Sequence, residues 1–404
     1  MSDTQADPAP ATAPRAGAGV ARWGKSGLVD ALRLARAEGV GPIAWRRLLA
    51  RFGTPAAALA ELPGLARAGG REAPPRIPTR GEAEAEIAAL ERRGGRFLLL
   101  GEAPYPTLLA ETDDAPPLLA CVGDPGVLAR RAVAIVGSRN ASANGQRIAE
   151  MLAADLAQAG IVVISGLARG IDTAAHEGAL LHVRKDAPAG GGTTIACVAG
   201  GLDIPYPPEN AALQERIASA GAVLAESPLG TAPLGRAFPR RNRIIAGLSL
   251  GTVVVEAAPR SGSLLTARLA VEANREVFAV PGTPLDPRAR GTNNLIREGV
   301  AHLVENAADI LSELQGAAAR AIRREPARHA LEEPRPDWND PALHAKIRPQ
   351  LIDFMSASPT PVDDLIRRCQ CSAAVVMAVL MELEAAGRIL SLPGNRVALT
   401  EQDF

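Results

Sequence analysis

The chain has 404 residues, enough for about two to four domains, and 47% of them are apolar, enough for a sizeable core. Its 44 Lys and Arg residues balance 44 Asp and Glu residues, which excludes a chain-wide basic field, so any nucleic-acid site must be a local patch. The four cysteines form neither a disulfide framework nor a zinc pattern, and neither a signal peptide nor an apolar run of about 18 residues is present. We expect a cytoplasmic protein without a membrane span.

Residues 1–22 are rich in Ala, Pro and Gly and are predicted to be disordered. Helical spacing of apolar residues from Leu28 to Ala66 predicts a helical domain over residues 23–95. Between its first two helices lies the turn Glu38-Gly39-Val40-Gly41-Pro42. This turn resembles a helix-hairpin-helix, which offers backbone N–H groups to a DNA phosphate. An ordinary turn, with a Gly cap and Pro at the first helical position, explains it slightly better.

Over residues 96–315 short apolar runs alternate with helical stretches. The runs predict nine strands: Phe97–Leu100, Leu118–Val122, Val133–Val136, Ile161–Ile164, Thr194–Val198, Ala222–Ala225, Thr252–Val255, Val277–Val280 and His302–Val304. Continuous apolar strands separated by helices are typical of a parallel sheet covered on both faces. We therefore predict an enlarged, doubly wound α/β domain.

Residues 316–341, rich in Ala, Arg, Glu and Pro, are predicted to be a linker. Residues 342–404 then read as three helices followed by a β-hairpin, the order of a winged-helix domain. Its presumed recognition helix, residues 372–386, carries Glu382 and Glu384 but no Lys or Arg. A helix that reads the major groove usually has the opposite charge, so a protein-binding role is at least as good an interpretation.

The loops that follow the predicted strands carry the functional signal, because an open parallel sheet binds ligands beyond the carboxyl ends of its strands. Glycines there let the backbone approach an anion, and helix N-termini and serines supply donors. Such loops are Gly137-Ser138-Arg139-Asn140, Ser165 to Asp172 with Gly166, Arg169 and Gly170, Ala199 to Asp203, Arg260-Ser261-Gly262-Ser263, and Pro281-Gly282-Thr283. The alternative is that βα turns need Gly, and that Ser is a good helix cap.

The most concentrated charge is the segment Arg236-Ala237-Phe238-Pro239-Arg240-Arg241-Asn242-Arg243, which has four arginines, one aromatic ring and no acid. Guanidinium groups bind phosphates, and an aromatic ring stacks on a base. A solvated basic turn is the alternative for an isolated segment. Because the segment lies between two strands of the predicted sheet, we favour binding of a phosphate-bearing polymer.

Catalysis has weaker support. A hydrolase active site could combine the loop serines with His176, Asp203 and Glu256, but no G-x-S-x-G elbow accompanies these residues. Neither a P-loop nor a dinucleotide fingerprint is present. We predict no catalytic residues, no metal ligands and no cofactor.

In their order, the motifs resemble the DprA (Smf) family of DNA-processing proteins over about residues 100–314. The matching stretches are Ala134-Ile-Val-Gly-Ser-Arg139, Ser165-Gly-Leu-Ala-Arg-Gly-Ile-Asp172, Ala175-His176, Thr194-Ile195, Gly200-Gly-Leu-Asp203, Tyr206-Pro207, Glu226-Ser-Pro, Phe238-Pro-Arg-Arg-Asn-Arg243, Val254-Val-Glu-Ala257, Ser261-Gly-Ser-Leu-Leu-Thr-Ala267 and Pro281-Gly282. The flanks resemble the family's N-terminal domain of sterile-alpha-motif type and its C-terminal winged helix.

The resemblance implies an extended Rossmann-like domain that binds single-stranded DNA rather than a dinucleotide. It also implies a protein that protects incoming strands during natural transformation, loads RecA on them and dimerises through this domain. By position, Arg139 matches a DNA-contacting arginine of the family, and Phe238 to Arg243 match its signature beside a positive pocket. The predicted DNA-binding residues are Gly137, Ser138, Arg139, Gly166, Arg169, Gly170, Tyr206, Arg236, Phe238, Arg240, Arg241, Asn242, Arg243, Ser261, Gly262 and Ser263.

The chain also departs from the family pattern. Relatives often have Lys after the Tyr206-Pro207 pair, where this chain has Pro208-Glu209, and Arg236 replaces a nearby Lys. Arg240 has the weakest support among the arginines, since relatives tolerate a small residue there. Residues 184–192 are expected to form a surface loop. The alternative function is a nucleotide-processing enzyme of the phosphoribohydrolase type, which would need an acid in the first turns of the helix after Ser261; none is present.

Overall fold

Residues 24–181, 194–235, 237–323 and 341–400 are described by the structure, a computed structural model. Four sequence predictions fall outside them in whole or in part: the N-terminal tail, the loop over residues 184–192, Arg236, and residues 324–340 of the linker. The linker is predicted to begin at residue 316, but the helix that precedes it continues to Arg323.

The N-terminal domain is helical, as predicted. Its helices are α1 (Gly24–Ala35), α2 (Pro42–Phe52), α3 (Pro55–Ala68) and α4 (Arg80–Glu91). Helix α2 begins at Pro42 behind Gly41, which gives it no side-chain cap. Helix α4 begins with a capping box, in which Thr79 and Glu82 each bond the backbone of the other.

The central domain contains all nine predicted strands. They are β1 (Gly95–Leu99), β2 (Leu118–Gly123), β3 (Ala132–Val136), β4 (Val162–Ser165), β5 (Thr194–Val198), β6 (Ala222–Ala225), β7 (Gly251–Val254), β8 (Glu276–Ala279) and β9 (His302–Leu303). Their order in the sheet is β1-β2-β6-β5-β4-β3-β7-β8-β9. Only the pairings of β2 with β1 and β6 are antiparallel. The chain leaves β3 in one direction toward β6 and returns to its other side at β7, which makes β3 and β7 the switch point of the doubly wound fold.

Helices cover both faces of this sheet. They are α5 (Thr107–Ala110), α6 (Ala143–Gln158), α7 (Ile171–Leu180), α8 (Ala211–Ala220), α9 (Ala237–Leu248), α10 (Gly262–Glu272), α11 (Arg290–Arg297) and α12 (Ala307–Arg323). Strand β3 shows the two layers, because Val133 and Ile135 pack under α6 and α7 whereas Ala134 and Val136 face α9 and α10. The predicted α/β class is confirmed.

The C-terminal domain has the predicted winged-helix order. Its elements are α13 (Pro341–Phe354), β10 (Thr360–Pro361), α14 (Val362–Cys369), α15 (Ala373–Ala385), β11 (Ile389–Leu392) and β12 (Arg396–Leu399). Strand β12 lies between β10 and β11. Among the helices of the described ranges, none is both long and apolar enough to cross a bilayer.

The recognition helix α15 packs against the N-terminal domain. Met381 and Ala385 belong to the same apolar cluster as the residues of α1 to α3. Gly69, just after α3, has no room for a side chain, because a Cβ there would overlap the carbonyl group of Glu382. A Cβ on Gly39, in the hairpin turn, would lie 3.2 Å from the carbonyl oxygens of Glu384 and Ala385. The C-terminal end of α15 therefore covers the hairpin turn.

The two acids of α15 are buried and paired inside the molecule. Glu382 bonds His344 at 2.9 Å and Arg348 at 2.6 Å, and Glu384 lies 3.6 Å from Arg47 of α2. Burial raises the pKa of Glu384, and the charge of Arg47 opposes this shift. The acidic recognition helix is thus an internal contact surface in this arrangement.

The tip of the wing is also in contact with the rest of the chain. The amide of Gly394, in the turn between β11 and β12, donates to Asp113 of the central domain at 3.3 Å. The recognition helix and the wing are the two parts of a winged helix that usually touch DNA. Both contact other domains here.

The packing of α15 on α3 predicts that alanine substitutions at two nearby glycines change the stability of the protein differently. Gly69→Ala places a methyl group against the α15 backbone and is expected to lower the free energy of unfolding by about 1–3 kcal/mol. Gly64→Ala, in α3 with no atom within 4 Å of its Cβ, is the control and is expected to be neutral or stabilising by up to about 1 kcal/mol. Urea denaturation measures both. Equal effects would contradict the docking of α15.

Candidate nucleic-acid interface

Arg241 lies at the centre of the carboxyl edge of the sheet, but inside the protein. It is 5% exposed. Its guanidinium group donates to the carbonyl oxygens of Gly166, after β4, and of Cys197, in β5, the latter at 2.6 Å. Arg241 is one of the predicted DNA contacts, but in the structure its donors hold two strand ends together and its charge is shielded from solvent.

Asp172 completes this internal network. Its carboxyl group is buried and accepts the N–H groups of Gly166 at 3.1 Å and Ala168 at 3.3 Å. Burial raises the pKa of Asp172, and Arg241 is the first of the groups that oppose the shift. The loop after β4 therefore uses these backbone donors internally, and Gly166 N–H is not free for a phosphate.

Two of the predicted loop glycines are required by close packing. A Cβ on Gly166 would overlap the guanidinium group of Arg241. Gly170 has a φ of +76° and would place a Cβ against the carbonyl group of Ser138, which accepts the N–H of Ile171 at 3.2 Å. Gly137 is similarly crowded by Ile171. These glycines allow the loops after β3 and β4 to touch, which places Arg139 at the edge.

Ser138 and Ser261 bond backbone N–H groups of their own loops, and Ser261 is also a helix cap. Ser138 accepts the N–H of Asn140 at 3.2 Å. Ser261 caps α10 at the N–H of Ser263, and their hydroxyl groups lie 2.7 Å apart. Gly262 begins α10, and its carbonyl group accepts from Asn242 at 3.4 Å. These contacts fix α10 against α9 at the switch point.

Asn242 and Arg243 also point into the structure rather than out of it. Asn242 is buried. Arg243 pairs with Glu226 at 2.5 Å and with Asp114 at 3.7 Å, and its side chain is 12% exposed. These two residues are also predicted DNA contacts, and like Arg241 they have polar groups that are bonded within the fold.

A row of side chains above this interior is exposed, except for Phe238, which is half-buried. The guanidinium carbon of Arg139 lies 4.5 Å from the ring centre of Phe238, and the Phe238 ring lies 5.6 Å from that of Tyr206. Tyr206 is 44% exposed. Beside Tyr206, Arg169 forms an exposed ion pair with Glu209. We call Arg139, Phe238, Tyr206 and Arg169 the edge row.

The edge row combines side chains from three loops and one helix. Arg139 follows β3, Arg169 follows β4 and Tyr206 follows β5, while Phe238 lies in the first turn of α9. Arg240, two residues further along α9, is exposed. The arginine with the weakest support in the sequence is therefore accessible, whereas Arg241 and Arg243 are not. Arg236 lies outside the described residues.

The residues considered for catalysis have separate structural contacts. His176 is fully buried on α7, bonds the Thr194 hydroxyl group at 2.7 Å, and has its pKa lowered to about 3 by burial. Glu256 caps α6 through Ser142, and Asp203 accepts the N–H of Gly230. In the described ranges, no three His, Cys, Asp or Glu side chains are grouped to hold a metal ion.

The sequence interpretation did not assign a role to Asp172, Glu226 or Asp114. Asp172 and Glu226 lie in matched motifs, whereas Asp114 lies before the first of them. The available signal was charge balance: a cluster of arginines inside a folded domain needs acids or carbonyl groups as partners. Glu226 follows a buried strand, and Asp172 follows a glycine-rich loop. Those positions are typical of groups that close a loop.

Comparison with known proteins agrees with this architecture. The model of the family described as DNA recombination-mediator protein A matches residues 96–315. The chain belongs to this family. A model of the DprA-like N-terminal HHH domain matches residues 26–89, and one of the DprA winged-helix domain matches residues 333–395.

Individual relatives extend beyond the central domain. Protein Smf of Escherichia coli (strain K12) is 40% identical over 296 residues, which are 73% of this chain and 75% of that protein. DNA processing protein DprA of Streptococcus pneumoniae is 46% identical over 211 residues, covering 52% of this chain and 71% of that protein. The X-ray structure of DprA from Streptococcus pneumoniae matches with a TM-score of 0.57 and 37% identity, over 70% of this chain and 95% of that one.

The different burial of neighbouring arginines predicts a clear separation of effects. Arg241→Met removes the donors to two carbonyl groups and the main cation that offsets the burial of Asp172, so the free energy of unfolding should fall by about 3 kcal/mol or more. Arg240→Met, at an exposed position, should change it by less than about 0.5 kcal/mol. Chemical denaturation of both variants measures this difference. A stable Arg241→Met protein would overturn the internal role.

Proposed function

We propose that the chain acts in the cytoplasm as a non-catalytic single-stranded DNA-binding protein, and that the edge row is its contact surface. The observation that carries the proposal is the contact series of Arg139, Phe238 and Tyr206 at the carboxyl edge of the sheet, in which Arg139 and Tyr206 are exposed and Phe238 is half-buried between them. A guanidinium group beside two aromatic rings suits a strand whose phosphates bind the cation and whose unpaired bases stack on the rings.

Single strands fit this surface better than duplex DNA does. In a duplex the faces of the bases are stacked on one another, so exposed aromatic rings gain little from them, whereas an unpaired base offers its face to any ring. Stacking on the aromatic rings is independent of base identity, since every base offers a face to a ring. Membership of a recombination-mediator family supports DNA as the ligand.

The alternative enzyme of the phosphoribohydrolase type has less support. It needs an acid in the first turns of the helix at the switch point, and α10 has none in its first turn. His176 and Glu256, the other candidates, are bonded within the fold.

The proposed contacts predict different salt dependences for two substitutions. Arg139→Ala removes a phosphate contact, so binding should weaken and the slope of log K against log salt should become shallower by about 0.7. Tyr206→Ala removes a stacking platform and should weaken binding by about 1–3 kcal/mol without changing that slope. Fluorescence anisotropy with a labelled single-stranded oligonucleotide over a salt series measures both.

Arg297→Ala is the matched control. This exposed arginine lies in the last turn of α11. Because β9 follows α11 and runs parallel to β8, Arg297 lies near the amino edge of the sheet, away from the edge row at the carboxyl edge. Its loss should leave binding unchanged. Unaltered affinity in the Arg139→Ala and Tyr206→Ala proteins would exclude the edge row, and equal affinity for duplex would exclude the preference for single strands.

We further propose that the protein protects bound strands, loads RecA onto them and works as a homodimer through its Rossmann-like domain. The support is the order of motifs shared with the family and the matches to all three of its domains. Addition of the protein should accelerate RecA filament assembly on single-stranded DNA, and Arg139→Ala should reduce the acceleration. An unchanged assembly rate with the wild-type protein would contradict the loading role.

A further inference from the structure

Glu209 lies at one end of the edge row and pairs with Arg169. The two side chains are 51% and 64% exposed, so the pair is on the surface and is not enclosed by the fold. Arg169 belongs to the loop after β4, and Glu209 follows Tyr206-Pro207 in the loop after β5. The pair therefore bridges two loops immediately beside an exposed aromatic ring.

Both members of the pair carry their charge at neutral pH. Hydrogen bonding to Arg169 lowers the pKa of Glu209, and hydrogen bonding to Glu209 raises the pKa of Arg169. Tyr206 is close enough to Arg169 to affect the pKa of that group as well. One cation of the edge row is thus neutralised by an acid that lies outside the row.

We propose that Glu209 competes with the DNA backbone for Arg169 and so limits the affinity for single strands. Its carboxylate occupies guanidinium donors that would otherwise hold a phosphate next to the base stacked on Tyr206. This inference rests on the proposed function of the edge row and names a residue that sets the strength of that contact.

The exposure of the pair makes this exchange possible. An exposed ion pair contributes little to stability, because water screens it and two long side chains must be held in place. A phosphate can therefore take the place of the carboxylate. The displaced carboxylate then stays within a Debye length of the phosphate, about 8–10 Å, and repels it.

A simple structural role for the pair predicts the opposite result. If Glu209 held the loop after β5 in place, its removal would disturb Tyr206 and weaken binding. The next residue, Asn210, already fixes this loop: its buried amide donates to the Leu167 carbonyl group and to the Thr173 hydroxyl group, both at 2.9 Å. The loop is thus anchored without Glu209.

The test is the affinity of the full-length protein for a fluorescently labelled oligothymidine over a salt series. Glu209→Gln should bind about 3–10-fold more tightly and should steepen the slope of log K against log salt by about 0.7, because Arg169 gains a phosphate. In an Arg169→Ala protein, the same Glu209→Gln change should have a much smaller effect. Glu177→Gln is the matched control, since Glu177 pairs with Arg216 in a similarly exposed bridge between α7 and α8, and no change is expected.

Three outcomes would overturn the inference. Glu209→Gln could leave binding unchanged, could weaken it, or could strengthen it equally with and without Arg169, which would indicate general repulsion rather than competition for that arginine. Arg139→Ala, measured in parallel, separates these outcomes from failure of the proposed function. If Arg139→Ala weakens binding and Glu209→Gln does not strengthen it, the competition by Glu209 is wrong but the edge row remains.

Discussion

The buried guanidinium group of Arg241 is the interaction on which the carboxyl edge of the sheet depends. The carbonyl groups of Gly166, just after β4, and of Cys197, near the end of β5, both lie in the buried layer beneath the loops. A planar cation with several donors satisfies them together, and Asp172 balances part of its charge while it binds the adjacent N–H groups. The loops after β4 and β5 thereby acquire fixed positions, and Arg169 and Tyr206 project from those loops.

The arginines of α9 have two different roles, one inside the fold and one at the surface, although they are close together in the sequence. The arginines of α9 occur within four residues, but Arg241 and Arg243 neutralise internal oxygens whereas Arg240 faces solvent. A count of arginines in the segment therefore overestimates the charge offered to a ligand. Because the whole chain has no net charge, long-range attraction of DNA is weak, and the proposed binding would depend on short-range contacts at the edge row.

The strands, the doubly wound α/β class and the flanking domains could be predicted from the sequence, because continuous apolar runs and turn residues are local signals. The burial of Arg241 and Asn242 was not predicted, since no helix was assigned to residues 237–248. The signal was present: Phe238, Arg241, Asn242 and Ile245 are spaced three and four residues apart and therefore share one face of a helix. Ile245 is in the core, and a helical interpretation would have turned Arg241 inward with it.

The docking of α15 could not be predicted in the same way, because the contact joins residues more than 300 positions apart. In the sequence, Glu382 and Glu384 resemble surface charges on a helix of the type that usually contacts DNA. In the structure both are buried, and Glu382 pairs with Arg348 of α13 whereas Glu384 pairs with Arg47 of α2. Burying an acidic side chain costs free energy unless a cation pairs with it, so the acids of the recognition helix themselves indicate a basic partner inside the protein. The N-terminal arginines provide that partner. With Arg47 paired to Glu384 and the hairpin turn at Gly39 covered by α15, each flanking domain buries part of the other's surface, whereas Arg139, Arg169 and Tyr206 of the edge row, the proposed contact surface for a single strand, stay exposed.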